Sequence, residues 1–302
     1  MKKSQATAIL ILTIGFLLLS ACAPADGQTT MADSSVAGAN TTGNAEPTGE
    51  TAVETLTQAS QSEQTTDLSA TAATAPLTSL STKAEIVSLF NEAANRVKQT
   101  KPGYTFSSRA SMDKNDVTVS DNVPFRSFIA SFAASAVNSA KKDPVTVAKG
   151  ASHDDFPVKG QPLASKIDET ALTTATINQT GDYNEIELKF KDEKLPSLPE
   201  KNNQTAHGKA FSLLLVEDFR KEFGGFNTKF MGINIRVDNQ KFEPTYSGSS
   251  IKCKIDKAGN MVSAVYYLNT TSDVDMLVKV NSKEHLIGIK LTYSMTETYS
   301  FG

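Results

Sequence analysis

Ile287-Gly288-Ile289-Lys290-Leu291-Thr292-Tyr293-Ser294-Met295-Thr296-Glu297-Thr298-Tyr299-Ser300-Phe301 is the longest alternating run in the chain. Successive side chains of a strand point to opposite faces. Ile287, Ile289, Leu291, Tyr293, Met295, Tyr299 and Phe301 therefore share one face, which Glu297 interrupts. The same period of two holds from Phe226 onward. Ile233, Ile235 and Val237 form one set, and Ile251, Cys253 and Ile255 another. The turn Asp256-Lys257-Ala258-Gly259-Asn260 follows, then the stretch 261–269, then Val274, Met276, Val278 and Val280. Alternating runs joined by short turns predict an antiparallel meander.

Upstream the period changes to that of a helix. Thr82-Lys83-Ala84-Glu85 has the spacing of a capping box, and Ile86, Leu89, Phe90, Ala93 and Val97 follow on one side until Lys101-Pro102-Gly103. A weakly alternating strand is expected over 104–112. A second helix is expected with Asn122 as cap, Pro124 in its first turn, and Phe125, Phe128, Ile129, Phe132, Ala133, Ala136 and Val137 on its apolar side. Residues 141–167, with Pro144, Pro157 and Pro162, read as irregular. The stretches 171–179 and 183–191 flank Thr180-Gly181-Asp182 as a hairpin with one wet face, and 192–205 is a polar loop. Phe211, Leu214, Leu215 and Phe219 predict a third helix over 210–223, closed by Gly224-Gly225. The fold class is thus α+β: an antiparallel meander in the C-terminal half, with about three helices on one face.

The amino terminus has a different character. Lys2 and Lys3 precede an apolar run from Ala8 to Leu19, too short for a comfortable membrane span and ending in small residues. An ordinary cleaved export signal or an uncleaved helix shares that layout. Leu19-Ser20-Ala21-Cys22, however, resembles the lipobox of bacterial lipoproteins. The resemblance implies a signal peptide over 1–21, cleavage before Cys22, a diacylglyceryl thioether on Cys22 and a chain held on the outer side of a membrane. It covers these residues alone.

Between Ala23 and Leu80 there is no aromatic, Lys or Arg, and seven acidic residues give the segment a charge of −7. Its Ser, Thr, Ala, Gln and Gly cannot bury enough surface to offset ordering, so 22–80 is expected to be a lipidated cysteine followed by a disordered tether. A coil of that length spans about 40 Å end to end. Setting aside those acids with Lys2 and Lys3 leaves 28 basic and 26 acidic residues for 81–302, a net +2 on one expected domain. With no dense basic run, nucleic acid is not an expected partner.

Only Cys22 and Cys253 are present, so the core must hold by packing, and Cys253 between Ile251 and Ile255 reads as a small buried hydrophobe. No phosphate loop, nucleophile elbow or zinc-protease motif occurs. Ser152-His153-Asp154-Asp155 is the single His–carboxylate cluster, without a second His or Cys at ligand spacing, and reads as a solvated loop. His153, His207 and His285 all read as exposed polar residues. Cys22 is accordingly the single site residue expected, with no catalytic, cofactor or metal residue assigned. The resulting expectation is a non-catalytic binding module for an envelope component, a protein partner such as an envelope protein, or an apolar ligand, joined to the membrane through its lipid. A structural or adhesive surface protein and an envelope hydrolase are the alternatives.

Overall fold

The computed structural model describes residues 82–121, 126–139, 141–154, 156–158, 161, 164–218, 226–230, 233–280 and 283–302. All of them belong to one compact unit. The expected signal peptide, Cys22, the tether, the Asn122 cap and residues 219–225 lie outside the described residues.

Helix α1 (Lys83–Thr100) starts where the capping box requires: the Thr82 hydroxyl accepts from the Glu85 N–H, and the Glu85 carboxylate accepts from the Thr82 N–H at 3.0 Å. It stops at Lys101, which turns left-handed at φ 48° ahead of Pro102. Ile86, Val87, Phe90, Ala93, Ala94 and Val97 are its buried face.

Strand β1 (Tyr104–Ser111), the short β2 (Val117–Val119), helix α2 (Arg126–Ser139) and β3 (Lys141–Val147) follow. Then come the hairpin β4 (Leu172–Thr180) and β5 (Tyr183–Phe190), and the two-residue β6 (Glu193–Lys194). The C-terminal part supplies β7 (Phe226–Phe230), β8 (Ile233–Tyr246), β9 (Ser250–Asp256), β10 (Met261–Val280) and β11 (Lys283–Phe301). The strands form one antiparallel sheet whose main path is β3-β1-β11-β10-β9-β5-β4. Its spine is the pair β10–β11, in register from Ser263↔Ser300 to Val280↔Lys283. One edge of β10 pairs first with β9 and then, beyond Thr270, with β8. The expected α+β class, with an antiparallel C-terminal sheet and few helices, is what the chain adopts.

Three expectations are corrected. Residues 141–147 are strand β3, not irregular chain. Pro144 is tolerated because β3 is an edge strand, and the β1–β3 register shifts between Phe106 and Ser108, next to Asp143-Pro144. The expected third helix does not begin at residue 210. His207–Lys209 form a single 3-10 turn and helical structure resumes at Val216. The backbone between is bonded elsewhere: the Leu213 N–H donates to Asn202 Oδ1 at 2.8 Å, and the Val216 N–H to the Pro199 carbonyl at 3.0 Å. Finally, the loop over Ser152-His153-Asp154 keeps Ser152 and Asp154 exposed, but His153 is 2% exposed and turned inward.

The inner face of the sheet is filled over its first half. Phe90 from α1, Phe156 from the 148–168 connection and Phe211 from the 195–215 connection pack on Leu172, Leu188, Ile251, Ile255 and Ala264. Tyr104, Tyr266, Tyr299 and Phe301 surround Phe156 or its neighbours at ring separations of 4.8–6.3 Å. At its other end α2 brings Ala133, Ala134 and Val137 into the buried set with Ala110, Met112, Val117 and Val119.

Candidate functional site

Strand β10 turns Ala264, Tyr266, Leu268, Thr270, Ser272 and Val274 inward, so three hydroxyls lie on a buried and otherwise apolar face. Thr270 stands opposite Tyr246 on β8 and Tyr293 on β11, and Tyr246 in turn stands opposite Glu193 on β6. A polar row, Glu193-Tyr246-Thr270-Tyr293, therefore crosses the sheet. Burial pushes the phenols of Tyr246, Tyr266 and Tyr293 up, which keeps them protonated.

The connection 195–215 closes over this row through His207, which is fully buried. Its ring stacks on Tyr246 at 5.1 Å and lies against Phe190 at 5.2 Å and Phe211 at 5.9 Å. Glu193 receives three N–H groups: those of Ala206 at 2.9 Å, His207 at 2.8 Å and His207 Nδ1 at 2.9 Å. Half-burial raises the Glu193 pKa, but these donors outweigh it and hold the carboxyl below the ordinary glutamate range. With Nδ1 against Glu193, Nε2 has no hydrogen-bond partner among the described residues. The hydroxyls of Tyr266 and Ser272 have none among the described residues either.

A His–carboxylate pair is half of a nucleophile-activating device. Because Nε2 bonds no hydroxyl or thiol among the described residues, the pair there activates none, and its geometry is that of a peg fixing the cover to the sheet. His153 is a second peg: Nδ1 meets the Ala151 carbonyl at 2.8 Å and Nε2 the Pro102 carbonyl at 2.7 Å, beside the Tyr104 ring at 4.8 Å. The reading of His153 and His207 as exposed residues is thus overturned: both rings are buried, His153 between two backbone carbonyls and His207 on the Glu193 carboxylate. Sequence reasoning missed both. The one signal available was the regular alternation of β10, which puts Thr270 and Ser272 on an inward face. The side chains of Asp155 and His285 lie outside those described.

A groove of about 370 Å3 runs along the outer side of α1, lined by Ser88, Asn91, Glu92, Asn95, Arg96 and Gln99. Much of its polarity is committed. Asn91 and Asn95 donate to the carbonyls of Ile167 and Ser165, and Arg96 donates to the Ala258 carbonyl at 2.6 Å. The outer face of the sheet is charge-balanced by Lys254–Glu185 at 2.9 Å, Lys252–Glu187 at 3.3 Å and Lys241–Glu243 at 3.1 Å. Cys253 is 4% exposed, and burial pushes its thiol up to about 12. Among the described residues no three His, Cys, Asp or Glu side chains gather as metal ligands, and no helix is long and apolar enough to cross a membrane.

No protein-family model, curated protein or solved structure matches this chain.

Proposed function

We propose that this protein is a lipoprotein moored outside the cytoplasm, whose folded part is a non-catalytic binding module for an envelope component. The observation that carries the mooring is Leu19-Ser20-Ala21-Cys22 at the end of a short apolar run behind two lysines. Each lipid methylene buried contributes about 0.8 kcal/mol, so two acyl chains hold a chain durably where one does not. The filled core under α1 favours a protein or polymer met at the surface over an apolar ligand enclosed there. The unactivated His207–Glu193 pair favours binding over hydrolysis.

Mass spectrometry of the amino-terminal peptide tests the mooring: a diacylglyceryl group on Cys22 is expected, and an unmodified Cys22 in the processed protein would overturn it. Cross-linking the anchored protein in intact envelopes tests the module. A specific adduct that an excess of the purified protein competes away is expected, and recovery of no specific adduct counts against the binding role.

A further inference from the structure

We propose that β4 is an interface between two copies of this chain, which pair edge to edge and antiparallel to join their sheets. The two ends of the sheet path differ. Edge strand β3 carries Lys141, Lys142, Asp143 and Pro144, the residues that keep an edge from pairing with another chain. Edge strand β4 is Leu-Thr-Thr-Ala-Thr-Ile-Asn-Gln-Thr, with no charge and no proline over nine residues. Among the described residues no strand pairs with its outer side.

The Phe190 N–H bonds the Ser249 carbonyl, so the even residues of β5 face β9 and the odd ones face β4. In β4 the residues opposite the odd set are Thr174, Thr176, Asn178 and Thr180, which leaves the N–H and C=O groups of Ala175 and Ile177 aimed at the open edge. A two-fold axis at Thr176 puts Ala175 of one copy opposite Ile177 of the other, so both outward pairs close on the same face with a small residue against a large one. On the wet face Thr176 meets its own copy, and Thr174 meets Asn178. No like charges meet anywhere in this pairing, which a strand carrying lysine or glutamate would not allow. The charges one strand further in are already neutralised by Lys254–Glu185 and Lys252–Glu187. A second copy is thus the occupant that fits this strand's chemistry.

The test is disulfide cross-linking of the full chain in detergent micelles, with cysteine placed singly by Thr174→Cys, Thr176→Cys or Asn178→Cys. Buried Cys253 is slow to compete, and Ser300→Cys, exposed in mid-sheet, is the collision control. Thr176→Cys is expected to give a disulfide dimer at least tenfold above the control. Adding Ala175→Pro removes an N–H that the fold does not use, so it should cut that yield tenfold while circular dichroism and Tm hold. No dimer above control at Thr176→Cys overturns the proposal, and so does a higher yield at Thr174→Cys or Asn178→Cys, which this axis holds four residues along the strand from their own copies. So does cross-linking that survives Ala175→Pro in a folded protein.

Discussion

His207 and Glu193 show how a polar residue enters an apolar core: every donor around the carboxylate comes from the segment it must hold down. Truncating His207 to Ala removes a ring packed against three aromatics and leaves Glu193 short of a donor. It should cost about 3 kcal/mol, read as a lower urea midpoint. Glu193→Gln keeps the shape, but its N–H2 must replace one carboxylate oxygen and face at least the Ala206 N–H, at about 2 kcal/mol near neutral pH. The pH dependence has a definite sign. The native carboxyl titrates below the ordinary value of about 4.3, so its contribution is complete above that pH and is lost as pH falls through the lowered native value. Urea midpoints of wild type and Glu193→Gln should therefore converge below about pH 4.3. A gap that stays constant into acid would show that the charge is not what matters. Gly208, next to this peg, is fixed by space: a Cβ there would run into the Asn202 carbonyl and Thr205 Oγ1. Gly208→Ala should lower stability by about 2 kcal/mol or more, since the obstacle is mainly backbone.

At the level of elements, what could be read from the sequence is what has a local signature. The capping box at Thr82, the stop at Lys101-Pro102, the turn at Gly181 with φ 62° and the alternation of β9, β10 and β11 each depend on residues within a few positions of one another. Thr82→Ala should accordingly destabilise α1 by about 1 kcal/mol, seen as a lower Tm. The elements that sequence reasoning missed are fixed from afar. β3 looks irregular because an edge strand can hold proline and lysine, and only its pairing with β1 makes it a strand. Residues 210–215 have helical spacing, yet Asn202 and Ser212, the latter through the Pro157 carbonyl, tie them into an extended cover. Both histidines looked exposed for the same reason. The partners of His153 and His207 include a carbonyl 51 residues away and a carboxylate 14 residues away. Nothing in the spacing of apolar residues encodes such contacts.

For the whole molecule, the two cysteines give a count that separates a moored protein from a free one. Cys253 is buried and burial pushes its thiol up to about 12, so little thiolate exists at neutral pH and the native protein should react slowly with a thiol reagent. Unfolding exposes it. If Cys22 carries a thioether, the denatured mature protein should titrate as one thiol per chain. A free Cys22, whether in a secreted chain or behind an uncleaved signal, raises the count to two. Cys22→Ser should keep the denatured count at one and leave the native domain's Tm unchanged, while the protein leaves the membrane fraction. These readouts are independent, because the first reports the chemistry of the sulfur and the last reports what that chemistry holds. Two thiols per denatured wild-type chain would sink the mooring even if the protein stayed with the membrane, since something other than lipid on Cys22 would then be holding it.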